Sequence, residues 1–254
     1  MKFRSIILAL IAAIALTNCE KQQCECDPPV EKGPLSLKFQ LYKDGAPIAI
    51  QQKFADDSLE VMVERLKVYF SHIKLRKSSN NTLVSLTDVL LADISDPELT
   101  TFHFSTDRVG YSSILFGIGL DANQNQMDPA TFPLDHPMST FYGMHWGWAG
   151  LYKFMELQGR SNPDGQLGTP TDVAFSYHPG NDAFYKQYEM ALNLTQGEDT
   201  SHVEVAIDYD TIFKGSAGDV NILTENQSHT TPSDYHIAEK IIFNFGEALT
   251  ILVK

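Results

Sequence analysis

Eight histidines and three cysteines are the residues of this 254-residue chain best suited to holding a soft metal ion. His178 closes the apolar run 173–178 just before Pro179-Gly180, where an imidazole at a strand end can point into a cleft. His229 lies in Gln227-Ser228-His229-Thr230, ahead of the most convincing helix. His72 follows Leu66, Val68 and Phe70 at every second position, which suits a hydrogen-bonded core histidine as well as a ligand. Imidazoles far apart in sequence, with no clustered carboxylate, suit copper or zinc rather than calcium. Calcium would need oxygens, and Asp121, Asn123, Asn125 and Asp128 resemble part of a calcium loop. The turn glycine and the distal glutamate of such a loop are missing, and Asp, Asn and Pro are ordinary loop residues. No nucleophile elbow, phosphate loop, dinucleotide fingerprint or His-Glu-x-x-His is present, so the residues support a non-enzymatic protein.

Both tryptophans, one histidine and three glycines fall within residues 144–159. After Gly150 the stretch alternates, with Leu151, Lys153, Met155 and Leu157 on one face and Tyr152, Phe154, Glu156 and Gln158 on the other. That is a strand period, so an aromatic core strand and an aromatic site are both open readings for Trp146 and Trp148.

The elements that must position these residues are short strands. Alternation marks 35–41, the run 66–72, 188–194 and 203–207, with apolar runs at 83–91, 101–105, 111–120 and 248–253. Asp44-Gly45, Asn80-Asn81, residues 161–170 and Gln196-Gly197 are turn signals. Residues 121–142 read as one long loop, and residues 210–214 as a helical turn capped by Asp210. Residues 233–245 read as a helix starting after Pro232. Nine or ten strands and one late helix predict a mainly β protein, an antiparallel β-sandwich with one short C-terminal helix.

At the N-terminus, Lys2 and Arg4 precede an apolar run over residues 6–16, too short to span a bilayer. Leu16-Thr17-Asn18-Cys19 resembles a lipobox, which implies a lipoprotein signal peptide over 1–18 and acylation of Cys19. Residues 19–33 then form a polar tether holding Cys24 and Cys26, and 34–254 a single β domain without cysteine. Losing Lys2 and Arg4 takes the net charge from −13 to −15, which argues against nucleic acid as a partner. The expected place is the cell envelope, lipid-anchored in the outer membrane and facing the periplasm or the surface.

Several blocks carry a family resemblance. Leu66-Lys67-Val68-Tyr69-Phe70-Ser71-His72-Ile73-Lys74-Leu75 and Ile114-Leu115-Phe116-Gly117-Ile118-Gly119-Leu120-Asp121 resemble the first half of the MbnP-like domain. So do Asp128-Pro129, the Met-His-Trp-Gly-Trp to Leu-Gln-Gly stretch, Phe175-Ser176-Tyr177-His178-Pro179-Gly180 and Ile237-Ala238-Glu239-Lys240. This family is typified by the methanobactin-associated periplasmic copper-binding protein. The resemblance implies an exported β protein, copper held by histidines, a kynurenine made from a tryptophan, and a MauG-like di-haem peroxidase as oxidant partner. Carried onto this chain, it points to His178 and His229 as ligands, with His72 as an optional third where many relatives carry Asn. Trp146 and Trp148 become the kynurenine sources. Proton competition for the imidazoles is then expected at about pH 6.5. Two other functions fit the residues: a glycan- or protein-binding lipoprotein using the aromatic loop 132–142, and a calcium-stabilised structural domain.

Overall fold

In the computed structural model, which describes residues 30–147 and 151–254, Leu35, Leu37, Phe39 and Leu41 are buried at alternate positions of β1 (Lys32–Lys43). The strand therefore starts inside the segment expected to be tether, and Glu31–Lys254 forms one compact unit. It ends at Asp44 (φ 52°) and Gly45 (φ 74°), the left-handed pair a two-residue hairpin needs. The signal peptide at 1–18, Cys19, Cys24, Cys26 and Trp148 lie outside the described residues.

The other main strands are β2 (Leu59–Lys77), β3 (Leu83–Asp93), β4 (Thr101–Asp107), β5 (Gly110–Ile118), β6 (Met155–Asn162), β7 (Val173–Tyr177), β8 (Lys186–Thr195), β9 (Ser201–Asp208) and β10 (Leu249–Val253). One sheet runs β10-β9-β1-β4. The other runs β8-β5-β2-β6-β7, continued by Gln227–Ser228, with β3 along the opposite edge of β2. Phe39 of the first sheet meets Phe70 of the second at 4.7 Å, and Phe70 also packs on Phe116 and Phe245. This is a mainly β, two-sheet sandwich. Pairing is antiparallel except for β1 with β9 and β7 with Gln227–Ser228, which are parallel. A parallel pair needs a long crossover, and all the main strands of the second sheet, β2, β3 and β5–β8, lie between β1 and β9 in the chain.

The C-terminal helix spans Tyr235–Glu247 and buries Ile237, Ala238, Ile241, Ile242 and Phe245 as one stripe. The helical turn Tyr209–Phe213 is capped by Asp208, whose carboxylate accepts the Thr211 N–H; Asp210 instead pairs with Lys43 at 2.6 Å. Among the described residues no helix is long and apolar enough to cross a membrane.

Two departures from simple alternation position the candidate site. Val68 pairs with Met155 of β6, and Phe70 with Ile118 of β5, so one edge of β2 changes partner at Tyr69. There the Tyr69 N–H donates to the Phe154 carbonyl and the Tyr69 carbonyl accepts the Gly119 N–H. Gly119 has φ 87°, and a Cβ on it would lie 2.3 Å from the Phe154 ring. The Trp stretch is accordingly not one strand: His145–Trp146 pairs with Leu151–Tyr152 as a small hairpin, and β6 begins only at Met155. His72 is the second departure. It sits at an interruption of the β2 ladder with φ 51°, so it leaves the buried face shared by Leu66, Val68 and Phe70.

Candidate metal centre

Sequence-distant residues meet where β6, β7 and the loop before the last helix converge. The His178 N–H donates to the Ser228 carbonyl, which binds the end of β7 to the His229 loop. Asp234 holds that loop: its carboxylate accepts the N–H groups of His229 (3.1 Å) and Thr231 (2.7 Å). Thr230 has φ 61°, a left-handed conformation strained for a β-branched residue. Its hydroxyl donates to the His178 carbonyl and accepts the Gly180 N–H, each at 3.1 Å. Pro179 between them accepts the N–H groups of Phe154 and Met155, which fixes the corner to the start of β6. Strain of this kind, held by hydrogen bonds on both sides, is a way of pre-organising a site.

The result places the His178 and His229 rings edge to face, 4.9 Å between centroids. His178 is buried. Its Nε2 lies 2.8 Å from the Gln158 side-chain amide, 3.2 Å from Ser176 Oγ and 3.8 Å from the Glu156 carboxylate. Glu156 is itself buried and pairs with Arg65 at 3.0 Å and Lys153 at 3.4 Å. Burial pushes its carboxyl up, but Lys153, Arg65 and His178 outweigh that and hold it below the usual carboxylate range. Burial pushes His178 down to about 4, helped by Lys153, His229 and Arg65 and opposed by Glu156. His178 is thus neutral at pH 7, with a lone pair free to bind a metal ion. Its proton competition belongs near pH 4 rather than at the expected value for a free imidazole.

Trp146 reaches the same corner. It is buried, and its Cζ3 would lie 2.9 Å from a Cβ placed on Gly180. His72 does not come to this corner: its Nε2 pairs with Asp121 Oδ2 at 2.7 Å, beside a different pocket lined by Phe116, Tyr188 and Glu189.

The four calcium candidates do not converge either. Asp121 caps the turn Ala122–Asn125, with Oδ1 accepting the N–H groups of Asn123 and Gln124. Asn123 is exposed. Asn125 is buried, donating to Asp182 and accepting the Tyr152 N–H. Asp128 caps the turn Pro129–Thr131. The side-chain oxygens of Asp121, Asn125 and Asp128 are engaged in hydrogen bonds, and loop 121–142 is a chain of short helical turns, the first two capped by Asp121 and Asp128.

Among the described residues no group of three or more His, Cys, Asp and Glu could hold a metal. Two neutral nitrogens fit neither the four ligands of structural zinc nor the oxygen shell of calcium. They do fit a soft, low-coordinate ion such as Cu(I), so the donor set agrees with copper. Gln158, Ser176, Glu156, Lys153, Asp234 and Thr230 all shape the corner; Ser176 shares the 175–180 block with His178 and Thr230 adjoins His229, while Lys153, Glu156 and Gln158 come from a distant stretch. The one local signal was Lys153 and Glu156 three residues apart beside the Leu-Gln-Gly block.

Fold and corner define a β-sandwich carrying an imidazole pair, one ring buried and the other half-buried, beside an indole. The chain belongs to the MbnP family, whose model, described as MbnP, matches residues 32–235. Among solved structures, MbnP from Methylosinus trichosporium has a similar fold, with a TM-score of 0.53 and 14% identity over 88% of this chain and 99% of that one. No curated protein matches the chain significantly.

Proposed function

We propose that this chain is an exported, lipid-anchored, non-enzymatic copper-binding protein of the cell envelope, with His178 and His229 as its ligands. The observation that carries this reading is the convergence of two imidazoles 51 residues apart in sequence, one of them held neutral by burial. Copper would supply soft Lewis acidity and one-electron chemistry at the pair. The residues themselves offer nitrogen lone pairs, exclude water around His178 and keep Trp146 close by. Conversion of Trp146 or Trp148 to kynurenine would add an aromatic amine, made by a MauG-like di-haem peroxidase as partner.

Copper titration tests the ligands. The purified protein is expected to take up Cu(I) stoichiometrically, and the His178→Ala/His229→Ala double variant to lose that binding while keeping its β-rich circular dichroism. Equal affinity and stoichiometry in the double variant would refute the assignment. Intact mass of protein from its native source tests kynurenine, which exchanges one indole carbon for oxygen. Membrane fractionation of Cys19→Ala tests the anchor, since retention as strong as the parent's would sink it.

One observation favours a second reading, binding of a glycan or protein. Leu134 and Phe141 are 68% and 70% exposed on the loop where Phe132 stacks on His136 at 4.2 Å. Metal analysis separates the two, because a protein purified without copper and unable to take it up leaves the binding platform.

A further inference from the structure

We propose that Gln158 is a positioning residue that sets the tautomer of His178: its amide oxygen accepts the Nε2–H, leaving Nδ1 to present the lone pair to the metal ion. The identity of that ion rests on the copper reading above; the tautomer does not. A metal-binding imidazole is neutral and carries one N–H, so its two nitrogens must divide the tasks of donor and ligand. Three polar groups converge on Nε2, namely the Gln158 amide, whose nitrogen stands at 2.8 Å, Ser176 Oγ (3.2 Å) and Glu156 Oε1 (3.8 Å). Among the described residues no hydrogen bond reaches Nδ1.

The Gln158 amide can present oxygen or nitrogen to the ring by a half-turn. Presenting nitrogen would require a bare lone pair on Nε2, facing the buried Glu156 carboxylate. Presenting oxygen places the positive N–H edge toward that carboxylate, and Ser176 Oγ can accept as well. The carboxylate therefore decides the tautomer, and the Gln158 amide, after its half-turn, provides the acceptor. The backbone gives Gln158 little freedom to drift. It pairs across the sheet with Ser176, directly before the register shift at Gly159, where a Cβ would meet the Phe175 ring at 2.3 Å. Metal-bound imidazoles usually give their second N–H to such a partner, and losing it lowers affinity by roughly 10–100-fold.

The experiment pairs nitrogen NMR of the ¹⁵N-labelled, metal-free protein with Cu(I) competition titration, on the parent, Gln158→Leu, Gln158→Glu and Ser176→Ala. The parent is expected to show His178 as the Nε2–H tautomer. Gln158→Leu should mix the tautomers and bind Cu(I) about 10–100-fold more weakly. Gln158→Glu, which keeps an acceptor, should restore the Nε2–H signature. Ser176→Ala should leave it in place. An Nδ1–H signature in the parent, or a Gln158→Leu variant with unchanged tautomer and affinity, overturns the proposal. If Gln158→Leu does not fold, the parent spectrum and Ser176→Ala still decide it, since loss of the Nε2–H signature in Ser176→Ala would assign the acceptor to Ser176. A parent that shows Nε2–H but takes up no Cu(I) overturns the copper reading and leaves the tautomer assignment standing.

Discussion

Gly180→Ala should cost more than its single methyl group suggests. A Cβ at Gly180 would lie 2.2 Å from the Tyr152 carbonyl oxygen, 2.9 Å from Trp146 Cζ3 and 3.0 Å from Lys153 Cα. Two of these atoms are backbone, so no side-chain rotation relieves them. The facing segment cannot retreat cheaply either. The Tyr152 N–H donates to Asn125 and its hydroxyl to the Met138 carbonyl, while the N–H groups of Lys153 and Phe154 donate to Met144 and Pro179. Overpacking costs about 1–3 kcal/mol, and a tied backbone puts this case at about 3. For a domain of this size that corresponds to a fall in Tm of about 6–12 °C. The comparison is Gly197→Ala, because Gly197 has nothing within 4 Å of its added Cβ and lies outside the left-handed region. Its change should stay within about 0.5 kcal/mol. Thermal unfolding followed by circular dichroism, with tryptophan fluorescence for Trp146, reads both. A Gly180→Ala protein that melts with the parent, or no lower than Gly197→Ala, would refute the reasoning.

Three further outcomes follow from the same corner. His178 titrates near 4 when folded and about 6.5 when free, so the unfolded chain takes its proton first; stability kept above pH 6.5 should be lost as pH falls toward 4, by about 3 kcal/mol. Urea unfolding of the parent and of His178→Gln across that range checks it, and equal pH slopes would count against it. Thr230→Ser keeps the bridging hydroxyl and should hold Cu(I) like the parent, whereas Thr230→Val should bind at least several-fold more weakly in competition titration; equal affinity of the two would remove the latch role. His72→Asn should leave Cu(I) affinity and stoichiometry unchanged, because His72 is spent on Asp121, and lost binding would return it to the ligand set.

Strands were legible because their burial alternates, and the hairpin at Asp44-Gly45 because its residue types suit positive φ. The helix 233–245 was legible to within two residues, from Pro232 and its apolar stripe. His72 misled because alternation assumes an unbroken ladder, and nothing local announces that a non-glycine residue will sit at φ 51°. The same angle would suit Asn at this position, since Asn enters the left-handed region more readily than most residues. Oxygen side chains in 121–128 misled for another reason: capping a turn and binding calcium draw on the same residue types, and only their directions separate the two. The His178–His229 pairing was not visible in spacing at all. It depends on a parallel junction two residues long, Ser176 with Gln227 and Tyr177 with Ser228, which no periodicity reports.

That junction also bears on which copper ion the corner would favour. Around His178 and His229 the charged groups are Lys153 and Arg65 against Glu156 and Asp234, so the corner carries no surplus of either sign. What keeps His178 unprotonated is first of all its burial. Burial also penalises a bound cation, and the cost of taking an ion out of water rises with the square of its charge. Cu(II) meets that cost more heavily than Cu(I), and two neutral imidazoles offer no anionic ligand to offset the difference. Desolvation that excludes the proton from His178 therefore also disfavours the divalent ion.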